Sequence, residues 1–320
     1  MAIEFDGTSV PDGSSEWVTV PIATDADMSE LDLRVRVITN GEGPTIWLQG
    51  GLHGSEHVGA RALRDVLLDI DPADVSGTIV GVPVANPTAF ANKQRLTGVD
   101  GRDVNRSFPG SQNGYFSEML ADRLYSLALE HADYFADFHN GGNEYEVAGF
   151  CIFSETGDDL EEESVAMCRA ADLPYAVGVS SEFGGSMGTE LIDEGIPSAV
   201  VEAGGLGHIS PEYYEMNVHA IENIAKEVGV LNGEPTTDGE FSVHSGSDWH
   251  HASAGGFFEP NVDCNDEVSE GDELARITNV EGEVVETFVA QYDGILVCMR
   301  SYPMVRPGDW ALQLTPQESA

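Results

Sequence analysis

Between about residues 45 and 230, short apolar runs that end at glycine or proline alternate with stretches whose apolar residues recur at helical spacing. "TIWLQGG" leads into "EHVGARALRDVLLDI", and "GTIVGVPVANP" halts at Pro87. "YFSEMLADRLYSLALEHA" precedes "DYFADFHNGG", and "DDLEEESVAMCRAADL" precedes "PYAVGVSSE". "MGTELIDEG" leads to "PSAVVEAGG", followed by a long helical stretch capped by Ser210. Strands that alternate with helices predict an α/β chain, with a mixed, mostly parallel sheet flanked by helices. Ahead of it, "EWVTVPIA" and "LDLRVRVIT" read as an opening hairpin or edge pair. After the polar, turn-rich "NGEPTTDGEF" the helical spacing stops, and only short strands and turns follow. Two domains are expected: an α/β unit over residues 1–232 and a small all-β unit over residues 239–320.

Charge removes whole classes of function. The chain carries 56 Asp and Glu against 14 Lys and Arg, a net charge of −42, and its only lysines are Lys93 and Lys226. Such a surface repels phosphate backbones and anionic lipid headgroups, so neither nucleic acid nor membrane is an expected partner. No stretch approaches the length of an apolar membrane span, and "MAIEFDGTSVPDGSSEW" has neither the basic start nor the apolar run of a secretory signal. Cys151, Cys168, Cys264 and Cys298 are far apart and unpaired by motif, as expected of reduced thiols in a cytoplasmic protein. So large a charge opposes compaction unless salt screens it. Acid scattered through the chain with almost no lysine resembles the composition of salt-accumulating halophiles.

The topology directs attention to strand ends. In open α/β sheets the ligand crevice lies at the carboxyl ends of the strands. His53, Asn86, His139 and Glu202 each end a strand-like run and are expected to converge there. His53 and Glu56, three apart at the expected helix start, are ligand types that suit Zn²⁺, and His139 is the candidate third ligand. By itself HxxE also fits a surface or capping pair. His57, His131, His208, His219, His244, His250 and His251 are read as ordinary satisfied histidines.

"RLTGVDGRDVNRSFPG", residues 95–110, holds three of the chain's twelve arginines and reads as a structured loop. The rigid fork of arginine suits a carboxylate or a developing oxyanion, which makes Arg95 and Arg106, with Asn105, candidate binding residues. Asp103 is positioned to accept a hydrogen bond from the second nitrogen of a ligand histidine. Glu202 ends an apolar run, so desolvation should lift its pKa toward the range of a general base.

"GGLHGSE", "NPTAF…R…DGRDVNRSFPG", "DFHNGG" and "VVEAGG" occur in the order found in the succinylglutamate desuccinylase/aspartoacylase family, which the chain resembles over about residues 45–205. That resemblance implies a fold and site like those of zinc metallocarboxypeptidases, with one Zn²⁺ per chain. It implies that His53, Glu56 and His139 bind the metal and that Glu202 is the general base and later the proton donor to the leaving amine. Arg95 would stabilise the oxyanion, Asn105 and Arg106 would hold a substrate carboxylate, and Asp103 would orient His53. The β region after residue 239 is similar to the C-terminal domain of that family. Its "VSEGDELARI" and "VAQYDGILV" also resemble the barrel-sandwich of lipoyl and biotinyl carriers, but no lysine follows Lys226, which excludes carrier function.

The expected activity is zinc-dependent hydrolysis of the amide of a small N-acylated substrate. The alternatives are a carboxypeptidase sharing the same zinc site and a non-catalytic binding protein, which would be expected to lose Glu202 or a metal ligand. Residues 180–195, "SSEFGGSMGTELIDEG", lack the tyrosine and arginine that aspartoacylases carry there, which points away from an aspartate or glutamate substrate. In a salt-adapted cell an acylated diaminobutyrate from osmolyte breakdown is one candidate. A homo-oligomer is compatible with the sequence, which does not fix the assembly.

Overall fold

The computed structural model of the chain describes residues 2–180 and 184–317. The last two residues of the expected "PYAVGVSSE" strand, and Phe183 of the segment 180–195, lie outside the described residues.

Nine strands form the main sheet in the spatial order Ser242–Ser245, Tyr175–Val179, Tyr145–Ser154, Ser198–Gly205, Tyr134–His139, Thr45–Gly50, Gly77–Val82, Glu30–Asn40 and Ser14–Thr24. Four neighbours at its centre, from Ser198–Gly205 to Gly77–Val82, run parallel. Tyr145–Ser154 and Glu30–Asn40 join them antiparallel, one on each side. The mixed sheet flanked by helices, as expected from the sequence, is therefore what the chain adopts.

Burial explains why these runs are strands. Alternate side chains feed two cores, so a central strand needs apolar residues on both faces. Ile46 and Leu48 join Leu63, Leu67, Ile221 and Ile224 from helices His57–Asp69 and Pro211–Glu227. Trp47 between them joins Leu120, Leu124 and Leu191 from helices Phe116–His131 and Met187–Asp193. Truncating a fully buried leucine such as Leu63 to alanine should cost about 2–5 kcal/mol.

Close approach sets the distance between the first helix and the sheet. A Cβ on Gly59 would lie 2.6 Å from Cβ of Phe138, so only glycine lets this helix sit against the strand that ends in His139. Gly51 turns the chain out of the Thr45–Gly50 strand with φ +63. The expected caps hold as well: Ser210 accepts a hydrogen bond from the Tyr213 amide at 3.2 Å.

The sheet does not stop at the α/β region. Gly294–Arg300 pairs antiparallel with the start of Tyr145–Ser154, and Trp310–Pro316 and Asp248–His251 add beyond it. Ser242–Ser245 lies parallel to Tyr175–Val179 at the far edge. A second, four-stranded sheet packs beside them, built from Val284–Val289, Glu273–Thr278, Gly256–Pro260 and Met304–Val305. Two strand ladders thus tie the C-terminal region into the main sheet beside the ends of the central strands.

Candidate active site

His53 and Glu56 do not lie on a helix, as the sequence suggests, but in the loop before one. The helix begins at His57, and Glu56 occupies the residue ahead of it without capping it. The Glu56 amide donates to the His53 carbonyl at 3.0 Å, closing a turn that brings both side chains to one side. His139 is the last residue of its strand. One ligand atom from each of these three buried residues lies within 4.8 Å of the other two.

The hydrogen bonds define what this group can hold. Nδ1 of His53 and Nδ1 of His139 each face one oxygen of the Glu56 carboxylate at 2.8 Å. The outer nitrogens are engaged as well: Nε2 of His53 meets Asp103 Oδ1 at 3.0 Å, and Nε2 of His139 meets Asp137 Oδ2 at 3.0 Å. With Nε2 of each ring facing an aspartate, each Nδ1 can either donate a proton to Glu56 or, when deprotonated, turn its lone pair with the carboxylate toward a shared cation. Two imidazole nitrogens and a carboxylate are the donor set of a catalytic zinc site. The residues therefore fit the metal that the family implies.

Asp137 is the site residue that sequence reading passed over. It is buried, and Gln49 donates to its Oδ2 at 2.8 Å while Trp47 in turn donates to Gln49 at 3.2 Å. Its signal was available: it stands two residues before His139 in an otherwise apolar strand, hence on the same face.

The Asp103 carboxylate serves three partners, among them the Asn105 amide, which donates to its Oδ1 at 2.9 Å. Besides His53, its Oδ2 accepts from Nε of Arg95 at 3.0 Å. Arg95 also lies 3.5 Å from Glu56, and its guanidinium stands 5.7 Å above the Trp310 ring. Burial alone would raise the Asp103 pKa, but His53, Arg95 and Arg106 hold it below the usual carboxylate range. Burial acts the same way on Glu56 and is outweighed by His53 and His139, so this carboxylate also stays ionised. Burial disfavours protonated His139, yet Asp137 and Glu56 together raise its pKa well above the ordinary value.

Glu202 behaves differently. It ends the apolar part of its strand directly beside His139 in the parallel register, half-buried because the cavity opens onto it. It accepts no hydrogen bond among the described residues, and burial lifts its pKa to about 7 despite the nearby histidines. Two carboxylates in one pocket are thus separated in protonation: Glu56 stays ionised, while the Glu202 carboxyl is placed to exchange protons near neutral pH.

A cavity of about 450 Å³ joins these groups. His53, Glu56, His139, Arg95, Asn105, Arg106 and Glu202 all reach it. Asn105 is fixed through its side-chain oxygen, which accepts from the Met187 amide at 3.2 Å. Asn86 is not part of the site: it is fully buried and caps the Pro87–Asn92 helix by accepting from the Ala89 amide at 3.1 Å. A strand-end position alone overestimated it, because Asn is also a favoured N-cap. His251, read as ordinary from sequence, lines the cavity, together with Trp249, Trp310 and Gln313 from the C-terminal region. Trp249 stacks on Trp310 with ring centroids 4.4 Å apart, so an aromatic roof covers the charged floor. No short motif announced these residues, since strand pairing over a long sequence separation brings them in.

A sequence model described as the succinylglutamate desuccinylase/aspartoacylase catalytic domain matches residues 42–228. The chain is 28% identical over 317 residues to the N-alpha-acetyl-L-2,4-diaminobutyric acid deacetylase of Halomonas elongata, covering 96% of this chain and 92% of that protein. It superposes with a TM-score of 0.89 on the product-bound ectoine utilization protein EutE (DoeB) of Ruegeria pomeroyi, at 27% identity and 96% coverage of both chains. A succinylglutamate desuccinylase/aspartoacylase structure from Rhodobacter sphaeroides gives the same TM-score of 0.89 at 28% identity, covering 99% of this chain and 98% of that one.

Proposed function

The chain belongs to the succinylglutamate desuccinylase/aspartoacylase family and is an amidohydrolase of N-acyl amino acids, and from that premise we propose that it removes a small acyl group by zinc-dependent hydrolysis, with N-acetylated diaminobutyrate the preferred substrate. The observation that carries the reading is one cavity holding the His53, Glu56 and His139 donors beside a Glu202 carboxyl whose pKa is lifted to about 7. The substrate assignment is supported by the name of the Halomonas elongata relative.

His53, Glu56 and His139 would hold the metal, with Asp103 and Asp137 accepting from Nε2 of the two imidazoles so that each would present Nδ1 to it. Bound zinc supplies the chemistry of a Lewis acid, polarising an acyl oxygen and acidifying a water. Glu202 takes the proton of the attacking water and passes it to the nitrogen as the amide bond breaks. Arg95, anchored by Asp103, presents its guanidinium to the oxyanion. Asn105 and Arg106 hold the substrate carboxylate, Arg106 through the paired donors of its fork. The C-terminal roof narrows the cavity above these groups, which favours a small molecule over a long peptide and ranks a carboxypeptidase second.

Four free cysteines fit a reducing, cytoplasmic setting. No helix among the described residues is long and apolar enough to cross a membrane. The net charge of −42 favours a cell rich in salt: the melting temperature should fall on dialysis from molar to millimolar salt, and an unchanged melting curve would contradict the halophile reading.

The deciding assay presents N-acetyl, N-succinyl and N-formyl amino acids beside C-terminal dipeptides in molar salt, with metal content measured on the same sample. Release from an N-acetyl substrate that chelation stops and zinc restores is the expected result. Turnover of dipeptides alone would transfer the protein to the carboxypeptidases.

A further inference from the structure

His53 and Glu56 line the active-site cavity, but Gly54 and Ser55 between them line a second cavity of about 530 Å³. Its size lies within the range of small-molecule sites, roughly 300–1,000 Å³. Its charge runs against that of the molecule. The chain has 56 acidic residues and 14 lysines and arginines. Yet the described lining of this cavity contains no Asp or Glu, and it contains Arg61, Arg64 and Lys93 together with His57.

Two of the cations are held from outside the cavity. Asp65, which is not part of the lining, accepts from Nε of Arg61 at 2.6 Å and from both Nε, at 2.9 Å, and Nη2 of Arg64, which leaves Nη1 of Arg64 and both terminal nitrogens of Arg61 outside this contact. Tyr214 donates to the same carboxylate at 2.9 Å. One carboxylate thus orients two guanidiniums and leaves terminal N–H groups of both for another acceptor. Lys93 ends the Pro87–Asn92 helix in the left-handed conformation, φ +55, and makes no ion pair among the described residues. His57 donates from Nδ1 to the Ser55 carbonyl at 3.0 Å, which fixes its ring and leaves Nε2 available. Apart from Ser55 and Asn143 the remaining walls are apolar, with Phe90 and Ile209 each more than a third exposed.

We propose that this cavity binds a small organic anion, a carboxylate on a short apolar body, with Arg61, Arg64 and Lys93 holding the carboxylate and Phe90 and Ile209 covering the body. The terminal guanidinium N–H groups that Asp65 leaves over can donate to a carboxylate, and the largely apolar walls favour an organic anion over an inorganic one. The site is separate from the reacting groups and stands independently of the reaction proposed above.

Calorimetric titration of the zinc-loaded full chain with sodium benzoate tests it. Three proteins are compared: the wild type, the double variant Arg64→Gln/Lys93→Gln, and Arg106→Gln in the active-site cavity. The expected result is benzoate binding that weakens about tenfold or more in the double variant and persists in Arg106→Gln, while the double variant keeps wild-type turnover. Lys93→Gln alone changes only an exposed side chain, so an intermediate loss there guards against a folding artefact. Inorganic phosphate should bind more weakly than benzoate. Undetectable benzoate binding, binding unaffected by the double variant, or binding lost only in Arg106→Gln would each overturn the proposal. Phosphate bound as tightly as benzoate would do so as well. So would a double variant that changes the oligomeric state without changing benzoate affinity, since the cations would then serve a second copy of the chain.

Discussion

On the floor of the active-site cavity, His53, Glu56, His139, Asp103 and Asp137 hold one another through polar contacts of 2.8 to 3.0 Å. On its roof, Trp249 and Trp310 meet ring to ring, with Arg95 reaching up to the second of them. The floor is a chain of buried charges in which each group is compensated by the next. Removing one member leaves its neighbour charged and unpaired, a loss of about 3–5 kcal/mol in buried ion pairs. The roof is held by stacking and area, where a lost contact forfeits about 0.5–2 kcal/mol. The same cavity therefore has one wall that tolerates almost no substitution and another that can be retuned.

Substitutions on the two walls test this contrast. His139→Ala should abolish stoichiometric zinc, and a full metal load in the purified variant would remove His139 from the floor. Glu202→Gln should keep zinc and lower kcat by about 10²–10⁴-fold, the range of a lost general base. Turnover near the wild-type rate would show that the floor needs only its metal. Asp137→Asn should weaken zinc by about 10–100-fold, read from competition with a chelator, because His139 then faces a neutral amide in place of the carboxylate that orients it and raises its basicity. Trp310→Leu on the roof should leave zinc content unchanged and lower kcat by about two- to thirty-fold, the span of a cation–π contact. A roof variant that lost its metal would erase the distinction between the walls.

The pH profile sharpens the comparison further. Burial puts the Glu202 pKa at about 7, and only the ionised carboxylate can act as a base. Activity should therefore fall as pH drops below that value. A bound cation favours ionisation and shifts the acid limb lower still, so the limb should lie no higher than about pH 7. Trp310→Leu should leave that limb where it is, and Glu202→Gln should remove it.

Much of the floor was legible in the chain. "LHGSE" and "DFHNGG" pair glycine turns with imidazole and carboxylate side chains, the donor types that suit a divalent metal. The α/β alternation was legible for a related reason: strands buried on two faces, such as Ile46–Trp47–Leu48, need apolar residues on both sides except where a polar pair such as Gln49 and Asp137 satisfies itself. Asp103 was recognisable as a partner for a histidine, but its simultaneous hold on Arg95 was not. Asn86 shows the opposite failure, since its position pointed to the crevice while its side chain went to a helix cap.

What the sequence by itself determined, then, was the layered architecture, the excess of acid, and the set of groups able to bind a divalent cation. These follow from local periodicity and from side-chain chemistry, which a neighbouring residue cannot alter. Tertiary structure alone decided which aspartate serves which histidine, that Glu202 lies beside His139, and that Trp249, His251 and Trp310 close the cavity. The physical reason is sequence separation. Trp310 meets Arg95 only because Gly294–Arg300 pairs with Tyr145–Ser154, and no local preference encodes a ladder formed over so long a stretch of chain.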